Sequence, residues 1–142
     1  MLISCVNLNN FLKEWRLVDG MPTLIACLST GKGTWSEVTR IINSQPWTKV
    51  FLVTNDFGKD NFKPPSNTQL ILINPVAEPS MMVDQVKKQL EGKISDFEVG
   101  LNLVSGSGKE HMAVLEAVLE LGLNFRLITV NNGQVETLGL RR

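Results

Sequence analysis

The sequence predicts an α/β domain with a mostly parallel sheet and helices on both faces. Two observations support this fold class. From residue 21 onward, continuous apolar runs alternate with amphipathic stretches, and glycine-rich turns separate several of them. Strands that are buried on both faces have continuous apolar sequences, and strands that alternate with helices usually pair in parallel.

The elements follow in order along the chain. The predicted strands are residues 23–28, 49–54, 69–73, 97–104 and 125–130, and the predicted helices are residues 34–43, 79–91 and 107–121. Gly92 and Gly122 follow the last two helices at the position that favours glycine. Asn131-Asn132-Gly133 then predicts a turn into a short edge strand at the C-terminus, residues 134–138.

Two segments do not fit this alternation. Residues 1–20 are interpreted as an N-terminal extension to a domain of residues 21–142. The extension can be loosely attached or packed on that domain, and Phe11 and Trp15 favour packing. Residues 56–67 contain Gly58, Pro64 and Pro65 and are predicted to be irregular. Because they follow the second strand, they can form a rim or lid over a crevice.

Composition limits the functional classes. The 14 basic and 14 acidic side chains cancel, which disfavours a broad surface for duplex nucleic acid. No apolar run has the length of a membrane span, and the two cysteines, Cys5 and Cys27, have no metal-binding spacing. We therefore expect a cytoplasmic protein with no metal, no cofactor and no membrane contact.

Two glycine-rich turns carry most of the functional information. The first glycine turn is residues 29–34 (STGKGT), and the second is residues 105–109 (SGSGK). Each follows a predicted strand and opens a predicted helix, where free backbone N–H groups and a lysine can bind a phosphate. Ligands of parallel sheets bind beyond the carboxyl ends of the strands, so both turns can share one crevice.

Neither turn is a Walker P-loop, which needs a glycine five residues before its Gly-Lys pair and Ser or Thr after the lysine. The corresponding residues are Leu103 and Glu110 in the second turn, and Ala26 and Gly33 in the first. Hydrolysis of ATP or GTP by that route is excluded. The dinucleotide fingerprint G-x-G-x-x-G also fails in both turns.

The hydroxyl groups of the turns have different expected roles. Thr34 with Glu37, and Ser107 with Glu110, have the spacing of capping boxes and are expected to bind backbone N–H groups. This leaves Ser29, Thr30 and Ser105 for a ligand. Asn55 can read a base or ribose, or it can simply form the turn after the second strand.

Other polar residues have simpler interpretations. The single histidine, His111, is more consistent with a helix flank than with acid-base catalysis. Asn102, inside an apolar strand, is expected to satisfy neighbouring backbone groups. Within residues 112–121 only Glu116 and Glu120 are polar, so this helix needs a second helical neighbour, from this chain or from a second copy.

The second turn resembles a known family signature. Residues 102–109 (NLVSGSGK), followed by an apolar helix, are similar to the second signature of CRISPR-associated Rossmann-fold (CARF) domains, which is a strand, then Ser/Thr-Gly-small-x-Lys/Arg, then a helix. Residues 28–31 (LSTG) are similar to the first signature, more loosely. The resemblance covers residues 22–138 and implies a Rossmann-like fold.

The resemblance also implies a function in antiviral defence. CARF domains are homodimers that bind cyclic oligoadenylates across their two-fold axis, and some stand-alone members are metal-independent ring nucleases. Carried over by motif, Lys109, Thr30 and Ser29 are the candidate catalytic residues. The candidate ligand-binding residues are Gly31, Lys32, Gly33, Asn55, Ser105, Gly106, Ser107 and Gly108. The resemblance assigns no secure role to Lys32.

Two other classes remain open at this point. The chain can be a non-catalytic regulatory module that acts through a partner protein, which the apolar third helix and residues 1–20 favour. In that case, polar substitutions at Val118 or Leu121 should abolish assembly. It can also be a monomeric enzyme that binds a mononucleotide or a sugar phosphate.

Overall fold

The computed structural model describes residues 23–28 and 32–139, which form six strands and four α-helices. The strands are β1 (Thr23–Cys27), β2 (Lys49–Thr54), β3 (Thr68–Leu72), β4 (Glu98–Asn102), β5 (Asn124–Asn131) and β6 (Gln134–Thr137). The helices are α1 (Trp35–Asn43), α2 (Asp56–Asn61), α3 (Pro79–Leu90) and α4 (Gly108–Glu120). A 3-10 turn, Lys32–Thr34, precedes α1.

The six strands form one sheet in the order β3-β2-β1-β4-β5-β6. All neighbouring strands are parallel except β5 and β6, which are antiparallel, so β6 is the short C-terminal edge strand that the sequence predicts. The predicted fold class is confirmed: the fold is α/β and Rossmann-like, with a mostly parallel sheet.

Two apolar cores cover the two faces of the sheet. On one face, alternate residues of the central strands pack with α3 and α4, and on the other they pack with α1. In β1, Ile25 and Cys27 belong to the first core, and Leu24 and Ala26 belong to the second. All four are completely buried, which explains the continuous apolar sequence of this strand.

The α1 face requires a glycine in β4. A Cβ atom on Gly100 would lie 2.5 Å from Ile128 Cδ1 and 2.9 Å from the Trp47 ring. Trp47 is buried and donates its ring N–H to the carbonyl oxygen of Ile41, at 3.0 Å. The absence of a side chain at Gly100 therefore lets the Trp47 ring pack directly on the sheet.

The predicted glycine positions at element ends are confirmed. Gly92 and Gly122, after α3 and α4, have φ values of 76° and 72°, in the left-handed region. Asn132 and Gly133 have φ values of 52° and 77° and form the two-residue connection between β5 and β6. Positive φ at both positions matches the turn type whose twist fits a hairpin.

Two local predictions are wrong. The segment that was predicted to be irregular begins with the short helix α2, which Asn55 caps by accepting a hydrogen bond from Gly58 N–H at 3.1 Å. The capping box at Thr34 and Glu37 does not form, because Thr34 belongs to the 3-10 turn. Its φ and ψ, −101° and −1°, are not those of an extended cap, and within the described chain its side chain makes no capping bond.

Helix α4 has its second helical neighbour in this chain. Its buried residues Ala113, Val114 and Ala117 belong to the same core as residues of α3. Its two polar residues, Glu116 and Glu120, are exposed, and Glu120 forms a 2.9 Å ion pair with Lys87 of α3. Of the helices in the described part of the chain, none has the length and apolar character to cross a bilayer.

Candidate functional site

The candidate site lies at the carboxyl ends of β1 and β4. These two strands are neighbours, and the chain leaves β1 toward β2 on one side and leaves β4 toward β5 on the other. This is the topological switch point of the sheet, and ligands of parallel α/β sheets generally bind at such a point. Ala26 of β1 lies opposite Asn102 of β4, and Ser29 and Ser105 each follow that pair by three residues in the sequence.

The second glycine turn has a defined shape. Gly106 has φ of 108°, a conformation that L side chains rarely adopt, and a Cβ there would lie 3.2 Å from His111 Nε2. That ring nitrogen lies 2.8 Å from the carbonyl oxygen of the buried Ser105. Since a carbonyl oxygen only accepts, Nε2 carries the proton of this bond. His111 thus holds the turn in place, a contact that the predicted position on the helix flank did not include.

Ser107 and Glu110 form the predicted capping box at the start of α4. Ser107 Oγ accepts a hydrogen bond from Glu110 N–H at 3.2 Å, and Glu110 Oε1 accepts one from Ser107 N–H at 3.3 Å. Ser107 Oγ also donates to Glu110 Oε1 at 3.0 Å. The first turn of α4 is therefore fixed before any ligand binds, which favours anion binding at its remaining N–H groups.

The other oxygen of Glu110 has no such contacts. Glu110 is 5% exposed, and its Oε2 is buried with no hydrogen-bond partner among the residues that the structure describes. Burial, and secondly the charge of Glu110, raise the pKa of the Cys27 thiol from 9.0 to about 12. Cys27 is therefore protonated at neutral pH and is not a nucleophile.

Lys109, the candidate catalytic lysine, bridges the starts of two helices. Its Nζ donates to the carbonyl oxygen of Ala77, just before α3, at 3.0 Å. Lys109 is only half-buried, and an ammonium group has three N–H donors. It can therefore keep this bond and still donate to a phosphate at the carboxyl edge of the sheet.

The candidate residues near β1 are only partly described. Ser29, Thr30 and Gly31 lie outside the described residues, as do Cys5 and the predicted extension of residues 1–20. Lys32 begins the 3-10 turn, and Gly33 is exposed within it. Asn55 is 6% exposed and its side-chain oxygen caps α2, so the turn-forming role is the one that its contacts support.

Asn102 fulfils the structural role that the sequence predicts. Its Nδ2 donates to the Ile128 carbonyl oxygen of β5 at 2.7 Å, and its Oδ1 accepts from Val104 N–H at 3.3 Å. Asn102 is 2% exposed, so these bonds satisfy a buried amide. They also fix the direction in which the chain leaves β4 toward the second glycine turn.

Sequence analysis missed an aromatic cluster at the same edge of the sheet. Trp35, the first residue of α1, contacts Phe57 of α2 with ring centroids 6.0 Å apart and Phe62 with centroids 5.7 Å apart. The cluster could not be found in the sequence because it requires α2, which was not predicted.

Comparisons with known proteins establish the fold and no more. No protein-family profile matches the chain, and no curated protein matches its sequence. In structure, 82% of the chain is similar to Can2 from Sulfobacillus thermosulfidooxidans, solved in complex with cyclic tetra-adenylate, with a TM-score of 0.55 and 15% identity. The similar region spans 37% of the Can2 chain.

Proposed function

We propose that this protein binds a cyclic oligoadenylate in the crevice between the carboxyl ends of β1 and β4. The observation that carries the proposal is the strand order, which makes β1 and β4 neighbours at the switch point. The signature that resembles CARF domains follows β4, and the looser one follows β1. The similarity in fold to Can2, which was solved with cyclic tetra-adenylate, supports the same ligand class.

The second glycine turn supplies the phosphate contacts in this proposal. The N–H groups of Gly108 and Lys109, at the start of α4, carry the positive end of the helix dipole. The Lys109 ammonium adds a full positive charge beside them. Ser29 and Thr30 remain candidate phosphate ligands from the sequence alone.

We further propose that the protein acts as a homodimer. A ring of four identical nucleotides can share a two-fold axis with a symmetric dimer, so that each protomer binds equivalent phosphates. Met112 and Leu119 of α4 are 61% and 56% exposed, and they line an apolar groove of about 410 Å³ between α3 and α4. This groove is the surface that we assign to the second copy.

We also propose a catalytic activity, in which the protein cleaves the ring of the bound ligand. The ribose 2′-oxygen attacks the adjacent phosphorus, the bond from phosphorus to the 5′-oxygen breaks, the 2′-hydroxyl loses its proton, and the 5′-oxygen gains one. The products are a 2′,3′-cyclic phosphate and a 5′-hydroxyl. Lys109 would stabilise the negative charge that develops on the phosphoryl oxygens, and no metal is required.

The apolar groove also favours a second candidate function, a regulatory module that acts through a partner protein. The structure changes the test for this alternative, because Val118 is completely buried in the core of its own chain. A polar residue there would destabilise the fold itself. Substitutions at Leu119 or Met112 address partner binding without disturbing the core.

The experiment incubates the protein with cyclic tetra- and hexa-adenylate in EDTA, with products separated by chromatography and binding measured by calorimetry. Lys109→Ala is compared with Lys93→Ala. Lys93 follows α3, so this control removes the same charge at the amino ends of the strands, away from the candidate site. We expect binding, and cleavage to a 2′,3′-cyclic phosphate, to be lost only in Lys109→Ala. Binding without cleavage would identify a sensor. Absence of both would reject the cyclic ligand and favour the partner-binding alternative.

A further inference from the structure

The aromatic cluster of Trp35, Phe57 and Phe62 includes one ring that is partly exposed to solvent. Trp35 and Phe62 pack against the core on the α1 face of the sheet. Phe57 contacts Trp35 at an interplanar angle of 58° and is 38% exposed. Trp35 and Phe62 thus pack on the core, while part of the Phe57 ring is exposed near the carboxyl ends of the strands.

The position of this cluster relates it to the candidate phosphate site. Trp35 follows the first glycine turn directly, and Phe57 lies three residues beyond the end of β2. Strand β1 separates β2 from β4, so the two strand ends are about 10 Å apart at the usual strand spacing. Phe57 therefore lies at the same carboxyl end of the sheet as the second glycine turn, two strands away.

The charges of α2 favour a base over a phosphate at this place. Asp56 and Asp60 are exposed on this helix beside the single cation Lys59. Two carboxylates would repel a phosphate, whereas they have little effect on an uncharged π-system. The edge and face of an aromatic ring are suitable contacts for a purine.

We propose that Phe57, supported by Trp35, forms a stacking surface for one adenine base of the ligand. This inference rests on the proposed function and adds to it the part of the site that recognises the base. Stacking on an aromatic side chain is tolerant of base identity, so Phe57 supplies affinity, and hydrogen bonds elsewhere must supply selectivity.

The test measures the affinity for cyclic tetra-adenylate by calorimetry in Phe57→Ala and Phe57→Leu. Leucine retains an apolar side chain and removes the ring. The matched control is Phe97→Ala. Phe97 is 82% exposed and lies at the amino end of β4, away from the candidate site. We expect both Phe57 variants to bind about 5- to 150-fold more weakly and Phe97→Ala to bind as the wild type does.

Tryptophan fluorescence provides an independent readout. Adenine near Trp35 should quench its emission, and this quenching should disappear in Trp35→Phe. It should persist in Trp47→Phe, since Trp47 is 4% exposed and buried beneath α1. Thermal melting of each variant establishes that the fold is retained.

The outcomes separate this inference from the proposed function. If the wild type binds and Phe57→Leu or Phe57→Ala binds equally well, the stacking surface is wrong and the proposed function stands. An equal loss in Phe97→Ala would likewise contradict a specific role of Phe57. If the wild type binds no cyclic oligoadenylate, both the proposed function and the stacking surface are rejected.

Discussion

At the residue scale, the polar groups near the switch point divide into those that build the site and those that remain for a ligand. Asn102, His111 and Ser107 make hydrogen bonds to the main chain that fix the two sides of the second glycine turn. Sequence reasoning anticipated the roles of Asn102 and Ser107, because polar residues at strand ends and helix starts have few alternatives, but it did not anticipate the contact of His111 with the turn. It could not anticipate the bond from Lys109 to Ala77, which joins segments 32 residues apart.

Gly100→Ala should destabilise the domain by about 1–3 kcal/mol, because a Cβ there overlaps with the Trp47 ring and with Ile128. The control is Gly108→Ala, where a Cβ meets no atom within 4 Å. Urea denaturation should give a lower midpoint for Gly100→Ala and nearly the wild-type midpoint for Gly108→Ala. Equal midpoints for Gly100→Ala and the wild type would contradict the tight packing that we describe.

Cys27 should make the protein less stable at alkaline pH. The folded state raises the pKa of its thiol from 9.0 to about 12, so the folded state holds this proton more tightly than the unfolded chain does. The resulting stabilisation is fully present below pH 9 and is lost as the pH rises toward 12, at up to about 1.4 kcal/mol per pH unit. Cys27→Ala removes this contribution.

The measurement compares unfolding free energies near pH 8 and near pH 10.5 in a Cys5→Ser background, with and without Cys27→Ala. We expect the alkaline loss of stability to be smaller in the alanine variant. The same pH dependence in both proteins would mean that Cys27 titrates in the folded state as it does in the unfolded one.

At the element scale, the two glycine turns differ, although both sequences have the spacing of a capping box. The start of α4 has an extended cap residue and a complete capping box. The start of α1 is a 3-10 turn, so Thr34 has a helical backbone conformation and cannot cap as Ser107 does. Spacing alone predicts a capping box, whereas the box also needs an extended backbone at the cap, which the sequence does not specify.

Ser107→Ala should therefore cost about 0.5–2 kcal/mol of folding free energy, and Thr34→Ala should cost much less. Chemical denaturation of the two variants checks this directly. The comparison is matched, since both substitutions remove one hydroxyl before an α-helix. An equal loss in the two variants would contradict the structural difference between the two helix starts.

Helix α2 could not be predicted from the sequence for a similar reason. Its six residues include Gly58, which has poor helix propensity, and no apolar period can be recognised over such a length. Gly58 is required because a Cβ there would lie 1.8 Å from Thr54 Oγ1, which donates to the carbonyl oxygen of Leu28. The bond from Thr54 to Leu28 joins segments 26 residues apart and is not visible in the local sequence.

At the scale of the whole molecule, the apolar groove between α3 and α4 makes a prediction about assembly. Leu119→Glu should convert the proposed homodimer to a monomer, because it places a charge on a surface that must be desolvated. Leu138→Glu, at an exposed leucine after β6, is the control and should leave the dimer intact. Sedimentation velocity measures both, and a monomeric wild type would contradict the dimer.

The alternation of strands and helices made the fold class predictable, whereas the strand order was not. The central strands β1, β2 and β4 could be recognised because burial on both faces leaves a continuous apolar sequence. The pairing of β1 with β4 joins residues more than seventy positions apart, and no local pattern encodes it. That pairing brings the two glycine turns to neighbouring strands, so the central feature of the candidate site depends on it.

The most direct test of this account maps cyclic tetra-adenylate onto the isotopically labelled protein by backbone amide chemical shifts. We predict that the amide signals of residues 103–109, at the start of α4, and those near Phe57 shift. The signals around Phe97 and Lys93, at the amino ends of the strands, should not change. Shifts confined to the amino ends of the strands, or no shifts at saturating ligand, would contradict a cyclic-oligonucleotide site between the carboxyl ends of β1 and β4.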